Sequence, residues 1–205
     1  MDIFNNHFYI NLDKRKDRNV NAIKQLKKIS PSTKPNRFKA IENDRGIVGC
    51  GLSHIKVIQK AKDLGWGHVV VFEDDIDIIE AELLNIKVKN LMDKEWDVLM
   101  LGGNNFKPYT VIDKDCIKVN KCFTTTAYII KSHYYDTWID NLKDGVKKLM
   151  LTGDRQYSLD LYNHSLQQRD TWLLLTPICI IQKKMYSDIE NKKVDYQDLM
   201  LNYDK

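Results

Sequence analysis

The sequence predicts an α/β fold, a single domain in which a mixed, mostly parallel sheet is flanked by helices. Three observations predict it. Short apolar runs rich in β-branched residues, such as HVVVF at residues 68–72, alternate with stretches of helical periodicity. The order reads β-α-β-α-β-α-β before a set of mixed later strands, as crossover helices on a parallel sheet require. The 205 residues contain no linker, internal repeat or low-complexity segment, and they suffice for one sizeable core.

Residues 7–12 (HFYINL) form the first expected strand. Residues 14–29 follow as a helix, with Val20, Ile23 and Leu26 as its apolar stripe, and Pro31 and Pro35 stop it. Residues 37–41 are a short strand, 46–51 a loop, and 52–64 a helix closed by Gly65 and Gly67. The strand 68–72 runs into Glu73-Asp74-Asp75. Residues 78–92 are a helix, and 96–101 a strand broken by Gly102-Gly103. Residues 110–119 and 122–130 are edge or antiparallel strands parted at Asn120-Lys121. Helices are expected over 131–142 and 154–164, and strands over 171–176 and 178–181, on either side of Pro177. Beyond Ser187 the chain is polar, so residues 190–205 are expected to be a peripheral tail or a small helix.

The formal charge of +4, from 32 basic and 28 acidic residues, is too weak for a nucleic-acid partner. It suits a small anionic substrate, and basic residues crowd the segment from Lys14 to Lys28. The four cysteines show no CxxC pairing and read as reduced thiols. No signal segment and no apolar stretch of membrane-spanning length is present, so a cytoplasmic protein without an integral membrane segment is expected. A homodimer is the default expectation if the chain self-associates.

Glu73-Asp74-Asp75 is the most informative feature. In open α/β sheets, ligands bind at the carboxyl ends of strands. One acidic residue there would merely cap a helix, whereas three in a row repel one another. A hard divalent cation, Mg²⁺ or Mn²⁺, removes that conflict and commonly carries a phosphate ligand. The second feature is Asn11-Leu12-Asp13-Lys14-Arg15-Lys16-Asp17-Arg18, at the end of the first strand. Arg15 and Arg18 are three residues apart on one helix face, where guanidinium groups suit phosphate. The third is Gly49-Cys50-Gly51-Leu52-Ser53-His54, too short of glycines for a dinucleotide fingerprint. There Ser53 is a plausible helix cap and His54 a candidate core or site histidine.

Together NLDKRKDR, GCGLSHIKVIQKA, VVVFEDDI, TTTAYIIKS, GDRQYSLDL and QKKMYSDIE resemble glycosyltransferase family 25 in order and spacing, from about residue 8 to about residue 189. These are lipo-oligosaccharide and collagen galactosyltransferase-like sugar transferases. The resemblance implies a GT-A-type fold, a UDP-sugar donor carrying galactose or glucose, and Mn²⁺ (or Mg²⁺). It implies an acceptor hydroxyl on a glycan, glycolipid or protein. By the same resemblance Asp75 is the metal ligand, assisted by Asp74, while Glu73 faces the ribose or holds a neighbouring group. Asn11, Leu12, Arg15 and Arg18 lie near the nucleotide, and Ser53 and His54 line the donor side. Gln182, Ser187 and Asp188 match the closing motif and close the pocket or approach the diphosphate. Asp154 is the expected general base of an inverting transfer, with Asp160 as the alternative on the same helix. Asn104, Asn105 and Phe106 are expected to line the cleft. Two other classes stay open: a metal-dependent phosphoryl hydrolase, and a non-catalytic nucleotide-sugar-binding module.

Overall fold

The computed structural model describes residues 3–205. In chain order its elements are β1 (His7–Asn11), α1 (Lys16–Ile29), β2 (Arg37–Lys39), α2 (Gly46–Asp63), β3 (His68–Glu73), β4 (Ile76–Ile78) and α3 (Ala81–Leu91). Then follow β5 (Val98–Asn105), β6 (Tyr109–Val111), β7 (Cys116–Val119), β8 (Cys122–Lys131), α4 (Tyr135–Thr152), α5 (Leu159–Tyr162) and α6 (His164–Arg169). The last are β9 (Trp172–Leu175), β10 (Ile180–Gln182), β11 (Met185–Ser187), β12 (Lys192–Val194) and α7 (Gln197–Leu201).

The central sheet has eight strands in the order β2-β1-β3-β8-β5-β9-β7-β6. β1 pairs parallel with β2 and β3, and β5 pairs parallel with β9. β8 lies antiparallel between β3 and β5, and β7 lies antiparallel to β9 and β6. Only β8 and β7 run against the rest, so the sheet is mixed and mostly parallel, as expected. Small ribbons pair β4 with β10 and β11 with β12.

Successive strand residues point to opposite faces. Val69 and Val71 of β3 join the core under α2 and α4, beside Val57, Ile58 and Trp138. Val70 and Phe72 join the other core, with Leu26 of α1 and Leu84 and Val88 of α3. All four are fully buried, each contributing about 1.5–3 kcal/mol, which is why this run cannot face water.

Several expected boundaries move, each for a packing reason. The stripe of α1 is rotated: Val20 is exposed, while Asn21, Ala22, Gln25 and Leu26 face inward. Asn21 donates to the Ile76 carbonyl at 2.9 Å, and Gln25 accepts from the Ile78 amide at 3.0 Å, so two polar side chains supply partners for β4. The expected loop at 46–51 is helical, because α2 begins at Gly46. A Cβ on Gly49 would stand 2.5 Å from the Ile41 carbonyl, so the glycine serves close packing inside a helix. Ser53 is therefore a mid-helix residue and not a cap.

β5 passes straight through Gly102-Gly103, with register shifts against β8. A Cβ on Gly102 would stand 2.4 Å from the Ile180 carbonyl, because β10 crosses close over β5. The span 110–119 is a β6–β7 hairpin, its turn fixed by Asp113 accepting from the amides of Asp115 (2.7 Å) and Cys116 (3.1 Å). Residue 78 belongs to β4 and α3 starts only at Ala81, while α4 runs on to Thr152. Residues 155–157 are a 3-10 turn, and α5 and α6 replace the single helix expected there. The polar end is ordered as β12 and α7, with Met200 fully buried and its sulfur accepting from the Gln182 amide at 3.2 Å. Among the described residues no helix is long and apolar enough to cross a membrane.

Candidate active site

β1 and β3 are parallel neighbours, with Ile10 opposite Glu73, so Asn11 and the acidic turn leave the sheet at the same edge. A cleft of about 400 Å³ opens there, lined by Leu12, Arg15, Arg18, Ser53, His54 and Asp188 beside Glu73, Asp74 and Asp75. A second compartment of about 160 Å³ adjoins it, lined among others by Thr124, Arg155, Asp160 and Tyr196. Cys50, Glu73, Gln182 and Ser187 line both.

The acidic turn is buried, and its charges are held from several elements. Asp74 accepts from Asn11 Nδ2 at 2.7 Å and from Arg18 Nη1 at 3.0 Å. Asp75 is 2% exposed; its Oδ2 accepts from Gln182 Nε2 at 2.9 Å and lies 3.0 Å from Arg18 Nη1. Its Oδ1 is buried with no hydrogen-bond partner. Burial pushes the Asp75 carboxyl up to about 7, against the pull of Arg18 and helped by Glu73 and Asp74. Burial also raises Asp74, opposed by Arg18 and Asn11. Burial works on Glu73 in the same direction, but His54 and Thr125 outweigh it and leave Glu73 below the usual carboxylate range. Thr125 donates its hydroxyl to Glu73 at 2.8 Å.

Arg15 and Arg18 lace the start of α1 to the chain at 186–188. Arg18 Nη2 donates to the Tyr186 carbonyl at 2.7 Å, and Arg15 Nη1 donates to the same carbonyl at 3.2 Å and to Asp188. Arg15 also holds Asp17 through two nitrogens, at 3.0 and 2.9 Å. Asn11 stands behind the cleft wall, its Oδ1 accepting from Arg37 Nε at 2.9 Å. Ser53 donates to the Gly49 carbonyl at 2.7 Å and accepts from the Ile41 amide at 2.8 Å, so it fixes the loop above the cleft. His54 is 1% exposed; its Nδ1 meets the Tyr128 hydroxyl at 2.9 Å, and its Nε2 faces Glu73 Oε1 at 3.6 Å. Ser187 accepts from the Glu190 amide at 3.2 Å.

The two candidate bases are placed differently. Asp154 is an exposed cap: its two oxygens accept from the Gln156 amide at 2.9 Å and the Gln156 side chain at 2.6 Å, and it lines neither compartment. Asp160 lines the smaller compartment, where its Oδ2 accepts from the Thr124 amide at 3.2 Å. Burial, then the charge of Glu73, pushes Asp160 up to about 6. Thr124 holds φ at 61°, a left-handed conformation that costs a β-branched residue about 1–3 kcal/mol and aims its N–H at Asp160. Asn104, Asn105 and Phe106 line neither compartment; Asn104 and Asn105 are buried in β5, and Asn105 donates to the Tyr203 carbonyl at 2.9 Å.

Sequence reasoning missed Cys50, Thr124, Thr125 and Tyr128 as site residues. The run TTTAY read as strand and as one segment of the family resemblance, with no residue of it singled out, and nothing in it marks a left-handed threonine. For a metal, Asp74 and Asp75 offer hard oxygen donors, and the unpartnered Asp75 Oδ1 is the acceptor a hard divalent cation needs, so the residues fit Mn²⁺ or Mg²⁺. A separate donor set is present, with ligand atoms of Cys50, His54 and Glu73 all within 4.8 Å of one another.

The sequence model of glycosyltransferase family 25 (LPS biosynthesis protein) matches residues 44–153, more than half of the chain, and spans α2, the acidic turn and α4. No curated protein matches the sequence. Among solved structures, A197 from STIV is similar at 14% identity, with 92% of each chain covered and a TM-score of 0.45. Mannose-1-phosphate geranyltransferase from Thermus thermophilus is similar at 6% identity, covering 82% of this chain and 72% of that one, with a TM-score of 0.48. A glycosyltransferase involved in glycosylation of the major capsid of PBCV-1 is similar at 8% identity, covering 83% and 91%, with a TM-score of 0.43.

Proposed function

The chain belongs to glycosyltransferase family 25 and is a glycosyltransferase; from that premise we propose that it moves a hexose, galactose or glucose, from a UDP-sugar to a hydroxyl of a saccharide, glycolipid or protein acceptor. The observation that carries this reading is the pairing of two compartments across Glu73. One holds Asp75 with an unused oxygen, and the other holds Asp160. The larger compartment suits the donor and the smaller one the acceptor, in a GT-A-type arrangement.

Asp75, assisted by Asp74, would hold Mn²⁺ or Mg²⁺, which when bound supplies positive charge to the departing diphosphate. Arg15 and Arg18, each paired with carboxylates, pin the segment 186–188 over that end of the cleft. Ser53 and His54 support the donor wall. Asp160 takes the proton of the acceptor hydroxyl, the acceptor oxygen bonds to the anomeric carbon, and the sugar–phosphate bond breaks to release UDP with inversion. Its raised pKa matches a base that must hold a proton briefly near neutral pH. Asp154, spent on a cap, has no part in the step. The four free cysteines support a reducing, cytoplasmic setting.

The test is UDP release from a panel of UDP-sugars, with and without Mn²⁺, for wild type and Asp75→Asn. Release from one donor, dependent on both metal and Asp75, is the expected result. Absence of both UDP release and calorimetric UDP binding would overturn the reading. Hydrolysis of simple phosphate esters without sugar transfer would put a phosphoryl hydrolase in its place.

A further inference from the structure

Beside the wall shared by the two compartments lies a sulfur–nitrogen–oxygen donor set to which the transfer step assigns no proton or bond. We infer that Cys50, His54 and Glu73 form a binding site for a thiophilic divalent cation of the Zn²⁺ class, separate from the hard-oxygen pair Asp74–Asp75. Cys50 and His54 are four residues apart in α2 and so share one helix face. Their ligand atoms and a Glu73 oxygen lie within 4.8 Å of one another.

The gap between His54 Nε2 and Glu73 Oε1 is informative. At 3.6 Å it is too long for a hydrogen bond. A tetrahedral zinc ion with its nitrogen and oxygen ligands at usual lengths sets them about 3.4 Å apart. The surroundings hold the ligands in place. The Tyr128 hydroxyl engages His54 Nδ1 at 2.9 Å, which orients the ring and leaves Nε2 for the ion, and Thr125 anchors Glu73 at 2.8 Å. Three protein ligands on a cavity wall leave a fourth position open, the pattern of an accessible zinc centre.

The sulfur separates this site from its neighbour. Thiolate and imidazole select Zn²⁺ over Mg²⁺ or Mn²⁺. The carboxylates of Glu73, Asp160, Asp75 and Asp74 all act on Cys50, and their negative charge favours a cation beside it. On binding, the ion bonds to sulfur and the thiol proton passes to solvent, so affinity rises with pH.

Co²⁺ titration of the whole chain tests this by absorbance. The expected result is a thiolate-to-cobalt charge-transfer band with tetrahedral d–d bands, saturating at one equivalent. Cys50→Ser abolishes the charge-transfer band, Glu73→Gln weakens binding by at least about 10-fold, and Asp75→Asn keeps the band. In wild type, Zn²⁺ slows alkylation of Cys50 by iodoacetamide, read by peptide mass spectrometry, a measurement that needs no variant to fold. No thiolate band, a band that survives Cys50→Ser, or alkylation of Cys50 indifferent to Zn²⁺ would each overturn the site and leave a plain Tyr128–His54–Glu73 polar chain. Neither measurement involves a sugar nucleotide, so the outcome is independent of the donor reading.

Discussion

Two cations, one buried and one partly buried, meet buried carboxylates at the same edge of the sheet, and the two groups are completed differently. At the ends of β9 and β7, Lys87 is 3% exposed, donates to the Thr176 carbonyl and lies 3.4 Å from Asp115. Neither side chain there has an unpartnered buried atom, and neither lines the cleft. At the ends of β1 and β3, Arg18 meets Asp74 and Asp75 at 3.0 Å each, yet Arg18 Nε and Asp75 Oδ1 are left without partners. Folded proteins satisfy nearly all buried polar atoms, so an unfinished pair facing a cavity is a reserved valence, whereas a finished one is structural. Burial of charge alone does not mark a site; what separates these two groups is an unpartnered carboxylate oxygen on a residue that lines the cleft.

That contrast can be broken or sharpened by substitution. The largest effect belongs to Asp75→Asn: kcat/KM falls about 10³- to 10⁴-fold, as loss of a metal ligand that acts on the leaving group predicts, while the melting temperature holds. Steady-state kinetics beside calorimetric melting check both halves, and a variant that unfolds would break the comparison. Lys87→Ala does the opposite. It costs about 3–5 kcal/mol of stability in urea unfolding by stranding Asp115, while activity per folded molecule is kept.

Asp160→Asn is next, lowering kcat about 10²- to 10³-fold with little change in donor binding by calorimetry. Its pH profile sharpens the point. Glu73, His54, Thr124 and Thr125 face Asp160, whose carboxyl is raised to about 6. A raised carboxyl is protonated and idle as a base below that value, so kcat/KM climbs as pH rises through about 6 and then levels. Asp160→Asn removes that limb, and a wild-type profile flat from pH 5 to pH 8 would count against the assignment. The smallest effect is Asp154→Ala, which loses a cap worth about 1 kcal/mol and leaves turnover unchanged.

The parts of the fold legible in the sequence were those whose pattern is local. The run before Glu73 is apolar on both faces and can only be a buried strand, so β3 and its acidic turn were readable together. Gly49 and Gly102 misled because their usual meaning is a chain break, while here each admits a backbone from another segment of the chain. Asn21 and Gln25 misled because polar side chains are expected outside, yet β4 needs their hydrogen bonds. The choice between Asp154 and Asp160 was closed to sequence reasoning. Both stand near helix starts, and only the depth of one and the cap of the other tell them apart.

The bond from Gln182 to Asp75 joins positions 107 residues apart, and Arg18 reaches across 168 residues to the Tyr186 carbonyl. During synthesis the acidic turn leaves the ribosome long before either partner exists. Until residues 182–186 emerge, the nascent chain carries three carboxylates with no Gln182 against them. The acidic edge is thus completed last although its charges are translated early, so a chain stalled short of Gln182 has all eight strands of the central sheet and lacks the side chain that holds Asp75.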